Sequence, residues 1–284
     1  MTEIVGKTAI VTGGGNGLGR GVSLALAREG ARVAVADILL DNAEETALAI
    51  RQAGGEAIAV ACDVSERESV RALKETVNSA FGPVQILVPN AGATSFKPMS
   101  GLPEAEIDWI VQVNFMGVMN FLQIFLPEMI ASGDGHIVAS ASVAGLVPNL
   151  MENHVPYSAA KAGVIGMTVN LRRELEGTGV QSTVFLVASI DGSMREKNSL
   201  YRPERFGGAY QEEIAPPTSF RRGRPRSPDE VAPMVIAAIR ENRPMLVSDP
   251  KYREPFDAYV AMVHQAFDDV DRFYAAQSDN VAAS

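Results

Sequence analysis

The sequence predicts an α/β fold in which one doubly wound parallel sheet of about seven strands carries helices on both faces. Short strands that are apolar along their whole length alternate with helical segments, and most connections between them are short. Strands that are apolar throughout are buried on both faces, as in a parallel sheet covered by helices. Repeated strand–helix–strand units with short connections wind such a sheet with right-handed crossovers.

The first half of the chain supplies four strands and three helices of this pattern. Strands are expected at residues 8–12, 32–36, 57–62 and 86–88, and helices at 18–29, 41–53 and 66–81. Each helix stops at a glycine, namely Gly30, Gly54 and Gly82. Glycine after the last periodic residue is a typical helix stop signal, so the helix ends are well marked.

The second half continues the alternation. Helices are expected at 107–129, 157–176 and 229–241, and strands at 136–140, 180–187 and 245–247. A long irregular stretch, about 189–226, predicts a substrate loop, since such loops in compact domains are usually functional. A helical extension at about 253–277 carries one apolar stripe, which packs on the protein's own core or forms a subunit contact or a cover over a neighbour's active site. We therefore expect one domain over 1–284 with these two additions.

Composition and charge limit the possible partners and location. The net charge of −9 disfavours nucleic acid, and the short basic run at 221–226 is better explained as a solvated loop. The single cysteine, Cys62, is expected to be an inert strand residue and cannot form a disulfide within the chain, which favours a reducing compartment. No signal-peptide pattern is present, and no apolar run approaches the roughly 18 residues of a membrane span. These features predict a cytoplasmic protein with no membrane partner.

A glycine-rich turn follows the first strand. Residues 12–19 read Thr-Gly-Gly-Gly-Asn-Gly-Leu-Gly, and such a turn brings a pyrophosphate to the N-terminus of the next helix. A glycine cluster alone can be a plain turn, but here it has the context of a Rossmann-like dinucleotide site. Asp37 ends the second strand and can accept hydrogen bonds from ribose hydroxyls while repelling a 2′-phosphate. With no basic residue beside Asp37 or within the turn, we expect NAD rather than NADP.

Several motifs together resemble the short-chain dehydrogenase/reductase family. They are the Thr-Gly-x-x-x-Gly-x-Gly turn, Cys62-Asp63-Val64, Asn90-Ala91-Gly92, Val113-Asn114 and Tyr157-x-x-x-Lys161. They stand in the family's order, and the resemblance covers about residues 5–250. It implies a single Rossmann-like domain, a nicotinamide cofactor, an alcohol–carbonyl reaction and a homo-oligomer, tetramer or dimer.

Tyr157 and Lys161 are the expected catalytic pair. They are four residues apart in a helical segment, so both side chains lie on one face. Free tyrosine has a pKa near 10, and a nearby ammonium group favours the phenolate and lowers that pKa. On spacing alone the pair could be a surface coincidence, but the glycine turn argues for catalysis.

Two further residues complete the expected catalytic set. In the family a catalytic serine lies three residues before a glycine, which selects Ser142 before Gly145 and leaves Ser140 as structural. The stretch from Ser142 to Tyr157 is two residues longer than usual, which we place between Val147 and Val155. The resemblance implies that Asn114 binds a water molecule that links Lys161 to solvent as a proton relay. The alternative is that Asn114 is only a polar residue that kinks a helix.

The expected cofactor residues combine the turn, the second-strand acid and the later motifs. They are Gly13, Asn16, Gly17, Leu18, Gly19, Asp37, Ile38, Asp63, Val64, Asn90, Ala91, Gly92, Tyr157, Lys161 and Ile190. One departure concerns the nicotinamide carboxamide: Val187-Ala188 and Gly192 stand where the family has Pro-Gly and Thr, so backbone groups of Ile190 would hold it. No Cys, His and Asp cluster has metal-ligand spacing, and no metal is expected.

The expected substrate is a hydrophobic secondary alcohol, aromatic ones included, because the candidate lining is mostly apolar. The substrate residues we select are Leu150, His154, Met194 and Tyr201. Stretches 129–133 and 201–207 also resemble bacterial dehydrogenases that oxidise benzylic alcohols of lignin-type aryl ethers. Two alternatives stay open: an NADP-dependent carbonyl reductase, and a non-catalytic NAD-binding regulator, which the missing Pro-Gly and Thr would favour.

Overall fold

A single seven-stranded parallel sheet forms the centre of the protein. The computed structural model describes residues 2–191, 198–210 and 224–282. The strands are β1 Thr8–Thr12, β2 Arg32–Asp37, β3 Glu56–Ala61, β4 Ile86–Val88, β5 Gly135–Ser142, β6 Val180–Val187 and β7 Met245–Val247. Their order in the sheet is β3-β2-β1-β4-β5-β6-β7, and every pair is parallel. The predicted fold class is confirmed.

Helices cover both faces of this sheet. They are α1 Gly17–Arg28, α2 Leu40–Gln52, α3 Arg67–Phe81, α4 Glu104–Val111, α5 Gly117–Ser132, the short α6 Val143–Leu146, α7 Val155–Glu174 and α8 Pro228–Glu241. One continuous apolar core joins α1, α2 and α8 to the sheet, while α3 contacts α5 and α7 contacts β5 and β6. This is the layering that burial of the strands on both faces requires.

The strand order reverses between β1 and β4. From β1 the chain moves outward to β2 and β3, then returns to β4 on the other side of β1. In open α/β sheets, ligands bind outside the carboxyl ends of the strands at this switch point. The glycine turn after β1 and the Asn-Ala-Gly segment after β4 therefore meet at one crevice.

The helix expected at 107–129 is not one continuous α-helix. It begins at Glu104, and a wider π-helical turn, Gln112–Met116, separates α4 from α5. Asn114 lies inside this turn, where its side-chain amide donates to the Ile110 carbonyl at 2.8 Å. The prediction of a single helix was wrong because the apolar spacing is nearly the same for α-helical and π-helical turns, which often mark functional sites.

The run from α4 to α5 is relevant to the prediction that the chain has no membrane span. By length and composition Glu104–Ser132 could cross a membrane, and half of its most apolar window is buried inside the protein. The run thus comes nearer to a membrane span than the sequence analysis expected. A helix buried against a sheet shares these properties, so this run indicates a core helix.

Cys62 lies one residue beyond the strand in which it was predicted. Its backbone N–H donates to the Asp37 carbonyl at 2.8 Å, and its side chain is buried. Burial raises the pKa of the thiol to about 12. A thiol with so high a pKa is unreactive near neutral pH, as expected.

The chain divides into two compact units, Met1–Asp249 and Pro250–Ser284. The first contains the whole sheet and helices α1 to α8. In the second, a 3₁₀ turn Pro250–Tyr252 leads into a long helix, α9 Arg253–Ala282, which includes the helix expected at 253–277. The assignment of the whole chain to one domain and the role of the apolar stripe stay predictions.

Candidate active site

The glycine turn after β1 forms a cradle at the N-terminus of α1. Gly13 and Gly17 have φ values of +61° and +48°, which favour glycine. A Cβ atom on Gly19 would lie 2.0 Å from the Gly13 carbonyl oxygen, whereas one on Gly17 would meet open space. Asn16 does not cap α1 with its side chain, and the first turn holds no acidic residue. The turn is thus tightly packed at Gly19 and open at Gly17, which leaves room for a pyrophosphate at the N-terminus of α1.

Asp37, at the end of β2, faces this turn. Its carboxylate accepts hydrogen bonds from the backbone N–H groups of Gly15 at 3.0 Å and Leu39 at 3.1 Å. Burial raises the pKa of Asp37, although these backbone bonds oppose the rise. Within the described part of the chain no lysine or arginine pairs with this carboxylate. Ile38 is half-buried beside it, and Leu18 packs on the core below the turn.

The segment after β4 is fixed to β1. The Thr12 hydroxyl accepts from the backbone N–H groups of Asn90 at 2.8 Å and Ala91 at 2.9 Å. The Asn90 amide donates to the Thr12 carbonyl at 3.1 Å, and the Ser140 hydroxyl donates to the Asn90 side chain at 3.2 Å. Asn90, Ala91 and Gly92 thereby form a rigid wall of the crevice. Ser140, expected to be structural, serves this wall.

Asp63 and Val64 follow β3 at the far end of the crevice. One Asp63 oxygen accepts from the Ser65 backbone N–H at 3.0 Å and from its hydroxyl at 2.6 Å. The other pairs with Arg205 at 2.7 Å. The Val64 carbonyl accepts from the Asn120 amide at 3.0 Å. The two residues are thus fixed in place, although neither Arg205 nor Asn120 was expected there.

Asn114 projects from the π-helical turn toward the segment after β4. Its amide donates to the Ala93 carbonyl at 2.6 Å, and its oxygen lies 3.4 Å from the Ala93 backbone N–H, which donates to it. The side chain is fully buried. The π-helical turn interrupts the α-helix at the same residue whose amide lies buried beside the site. A kink in the helix and a role in the proton relay are therefore compatible at Asn114.

Ser142, Tyr157 and Lys161 meet at the carboxyl ends of β5 and β6. Ser142 ends β5, and its hydroxyl donates to the Val187 carbonyl at 3.2 Å and accepts from the Ala144 backbone N–H at 3.1 Å. The Ser142 hydroxyl also lies beside the Tyr157 phenol, close enough to lower its pKa. The buried Lys161 ammonium donates to the Ser140 carbonyl at 2.8 Å and lies 5.7 Å from the centre of the Tyr157 ring.

The electrostatics of this cluster differ from the sequence expectation. Burial raises the pKa of Tyr157, and the Ser142 hydroxyl works against that rise. Burial also lowers the pKa of Lys161 to about 8. The net pKa of Tyr157 is therefore raised and not lowered as the sequence predicts, because the loss of solvating water is the largest effect on both groups.

His154, which immediately precedes α7, packs against this cluster. It is buried between two aromatic rings, stacked on Phe96 at a centroid distance of 4.7 Å and tilted against Tyr157 at 4.3 Å. Its Nδ1 lies 3.0 Å from the Ser95 carbonyl. Leu150 and Tyr201 are half-buried, and Met194 lies outside the described residues. Of the four expected substrate residues, the structure brings His154 against Tyr157.

The backbone near Ile190 provides polar groups where the family's Pro-Gly is missing. Ile190 forms an isolated parallel bridge with Arg226. The Asp191 N–H donates to the Arg226 carbonyl at 2.7 Å, and the Arg226 N–H donates to the Ser189 carbonyl at 3.0 Å. In this pattern the N–H and C=O of Ile190 itself point away from Arg226. The Ala188 N–H is used by the Ser248 hydroxyl at 2.8 Å. Gly192, which stands at the Thr position, lies outside the described residues.

A buried carboxylate that the sequence analysis missed lies beside the site. Glu106 is fully buried in α4. It pairs with Lys97 at 2.8 Å and Arg202 at 3.5 Å, and it accepts from the Tyr210 hydroxyl at 3.2 Å. Burial raises the pKa of Glu106, but the bonds to Lys97 and Tyr210 outweigh it and hold the pKa below its ordinary value. Its partners lie up to 104 residues away in the chain, so no local spacing could have revealed it.

Comparisons with known proteins identify the family. Residues 7–202 match the model of the family described as short chain dehydrogenase. The C alpha-dehydrogenase of Sphingobium sp. (strain NBRC 103272 / SYK-6) is 30% identical over 265 residues, which is 91% of this chain and 86% of that protein. This chain belongs to the short-chain dehydrogenase family.

Solved structures of family members agree with this assignment. A short chain dehydrogenase/reductase from Burkholderia phymatum in complex with NAD superposes with a TM-score of 0.85 at 28% identity, covering 94% of this chain and 97% of that one. A metagenomic short-chain oxidoreductase in complex with NADP gives a TM-score of 0.69 at 26% identity, with coverage of 87% and 98%. The chain is thus an oxidoreductase acting on CH–OH groups, a class whose members use either nicotinamide cofactor. In the described part of the chain, no group of three His, Cys, Asp or Glu side chains is placed to hold a metal.

Proposed function

We propose that this short-chain dehydrogenase interconverts a hydrophobic secondary alcohol and its ketone with NAD(H), with Tyr157 as general acid and base. The observation that carries the proposal is the cluster in which the Ser142 hydroxyl lies beside the Tyr157 phenol, one helical turn from buried Lys161. A hydroxyl, a phenol and an amine in this arrangement can hold an alcohol oxygen and move its proton.

Each residue has a separate task in the oxidation. Ser142 holds the substrate oxygen beside Tyr157, whose phenolate takes the hydroxyl proton. Lys161, with its pKa lowered by burial to about 8, supplies positive charge that favours the phenolate and returns the proton toward solvent past Asn114. NAD, when bound, supplies the hydride acceptor, and the N–H and C=O of Ile190 would hold its carboxamide.

Preference for NAD is proposed from Asp37. Its carboxylate stands beside the glycine turn, held by Gly15 and Leu39, where the adenosine ribose of a bound dinucleotide would lie. A 2′-phosphate there would face a like charge, and among the residues that the structure describes no lysine or arginine pairs with Asp37. The family itself uses both cofactors, so this preference rests on the local charge.

The substrate class is proposed from the aromatic surroundings of Tyr157. His154 lies tilted against the Tyr157 ring with Phe96 stacked on its other side, and both Tyr157 and Phe206 pack on a cluster that contains Trp109 and Ile110. Such a wall suits an apolar, aromatic alcohol. Similarity to the C alpha-dehydrogenase of Sphingobium sp. supports a benzylic secondary alcohol as substrate.

Location and assembly are also proposed. The net charge of −9 and the single buried cysteine suit a cytoplasmic protein. By family we propose a homo-oligomer, tetramer or dimer. Sizing chromatography coupled to light scattering measures the mass, and a peak at the 30.3 kDa of one chain would contradict the proposal.

The test is an absorbance assay for reduced nicotinamide. The purified protein is mixed with NAD, and in parallel with NADP, and a panel of benzylic and aliphatic secondary alcohols. We expect turnover with NAD to exceed turnover with NADP, with benzylic alcohols the better substrates. Faster turnover with NADP would favour the carbonyl reductase, and absence of turnover despite measured NAD binding would favour a non-catalytic regulator.

A further inference from the structure

Residues 198–210, here called the docked segment, are fixed over the segment after β4. The Asn198 side chain pairs with both backbone groups of Thr94, accepting from its N–H at 3.0 Å and donating to its carbonyl at 2.5 Å. Phe206 packs on an apolar cluster that includes Trp109 and Tyr157. The docked segment therefore packs, through Phe206, on the same apolar cluster as Tyr157.

The neighbouring residue, Arg205, reaches the opposite end of the crevice. Its guanidinium donates to the Asp63 carboxylate at 2.7 Å and to the Ser65 hydroxyl, and pairs with Glu66 at 3.0 Å. These partners follow β3 and precede Arg205 by about 140 residues. A guanidinium that contacts two carboxylates is a specific rather than an incidental surface contact, although at 38% exposure its strength alone is modest.

Asp63 retains room for a further donor. Two bonds from Ser65 occupy one carboxylate oxygen, and Arg205 occupies one position on the other. A carboxylate offers about four acceptor positions in total. The amino group of an adenine ring can thus bind Asp63 while Arg205 remains in place.

We propose that Arg205 is a positioning residue that makes the docked segment part of the adenine subsite. An adenine ring bound at Asp63 shields the Arg205–Asp63 pair from water, which strengthens it and holds Phe206 against the Trp109 and Tyr157 cluster. Binding of the adenine half of the cofactor and docking of the segment over the catalytic site therefore favour each other, since such coupling is reciprocal. This inference rests on the proposed function in one point: the adenine ring of the proposed NAD(H) would lie at Asp63 and Val64, as the resemblance of Cys62-Asp63-Val64 to the family's motif implies.

The chain contains its own probe of docking. Trp109 is the single tryptophan, and it is buried in the cluster on which Phe206 packs. Undocking of Phe206 exposes the indole to a quencher. Acrylamide quenching of Trp109 fluorescence therefore measures docking without any catalytic turnover.

The experiment uses the whole protein with AMP as the adenine-bearing probe and nicotinamide mononucleotide as the probe that lacks adenine. In the wild type we expect AMP to reduce quenching of Trp109. In Arg205→Gln we expect AMP to bind about threefold to tenfold more weakly and to give no protection, with affinity for nicotinamide mononucleotide unchanged. Arg205→Lys, which keeps the charge but not the planar fork, should restore part of the effect.

The matched control is Arg71→Gln. Arg71 lies on α3, close to Asp63 in the chain, and pairs with exposed Glu68. Its substitution therefore removes the same charge as Arg205→Gln without touching the docked segment. Failure of AMP to bind the wild type, or equal protection of Trp109 by AMP in Arg205→Gln, overturns the inference. The expected AMP result in a protein that oxidises no alcohol would support the inference and count against the proposed function alone.

Discussion

Tyr157 lies in a site that opposes its own ionisation. Burial raises the pKa of its phenol and lowers the pKa of Lys161 to about 8. Below that pH the lysine is mostly protonated, so its charge is available at pH 7 in spite of the burial. The Ser142 hydroxyl opposes the rise in the pKa of Tyr157 and so favours the phenolate. The identities of these residues could be predicted from sequence, but the sign of the tyrosine shift could not, because it depends on how much water the fold excludes.

Asp37 allows a test of cofactor choice by a single residue. Replacing it by serine removes the charge that would face a 2′-phosphate while leaving a hydrogen-bonding group. We expect the ratio of kcat/KM for NAD to that for NADP to fall by about tenfold or more in Asp37→Ser, since like-charge contacts cost several kcal/mol. Asp41→Ser, an exposed change at the start of α2, is the control and should leave the ratio unchanged. An unaltered ratio in Asp37→Ser would show that another residue selects the cofactor.

At the scale of elements, α4 and its neighbours join distant parts of the chain. Glu106 in α4 binds Lys97 before it and both Arg202 and Tyr210 from the docked segment. A buried carboxylate with two cationic partners holds this side of the site closed. Removing its charge leaves Lys97 and Arg202 facing each other without compensation.

We expect Glu106→Gln to lower the free energy of unfolding by about 2 kcal/mol and to raise KM for the alcohol more than it lowers kcat. The pKa of Glu106 in the folded protein is below its ordinary value. Its contribution to the free energy of unfolding is therefore fully present above the pKa of the unfolded state, and it is lost as the pH falls through the pKa of the folded state. Urea unfolding at several pH values measures this. Glu104→Gln, an exposed change in the same helix, is the control, and equal losses in both variants would exclude a special role for Glu106.

The elements also show where sequence patterns lose resolution. Strands β1, β4, β6 and β7 have the predicted bounds, because short apolar runs between turn residues leave little choice. β5 extends to Ser142, beyond its expected end at 140, since its last residues are small alanines and serines that carry no β signal. The π-helical turn at Asn114 was missed for a similar reason: a change of helical pitch is set by side-chain bonds to Ala93 and Ile110, not by periodicity.

At the scale of the whole molecule, the sheet order brings together motifs spread over about 150 residues. The glycine turn, Asn90, Ser142 and Lys161 were predictable as one site because parallel strands place their carboxyl ends at one edge. The contacts of Arg205 with Asp63 and of Asn198 with Thr94 span 142 and 104 residues. Such pairs join a loop to the sheet edge, and no periodic pattern encodes where a loop docks.

The pH dependence of the unfolding free energy tests whether His136 is buried within the packed sheet. This residue on β5 is fully buried, and burial lowers its pKa from 6.5 to about 3. Between those values the unfolded chain binds a proton that the folded chain does not, so stability falls as pH drops through 6.5. The expected slope from this one group is up to about 1.4 kcal/mol per pH unit.

In His136→Gln we expect a shallower dependence of unfolding free energy on pH between 6.5 and 3, whatever the absolute stability of the variant. Denaturant unfolding at half-unit steps of pH measures it. His264→Gln, an exposed change on α9, should keep the wild-type slope. Identical slopes for His136→Gln and the wild type would mean that His136 is protonated in the folded protein.

The most direct test of the central claim compares wild type and Tyr157→Phe in NAD-dependent oxidation of a benzylic secondary alcohol, with cofactor affinity measured in parallel by fluorescence. The phenylalanine keeps the ring that packs on His154 but removes the proton-transferring hydroxyl. We predict a loss of at least about a hundredfold in kcat with NADH affinity within about twofold of wild type. Retention of most of the activity in Tyr157→Phe would contradict the assignment of Tyr157 as general acid and base.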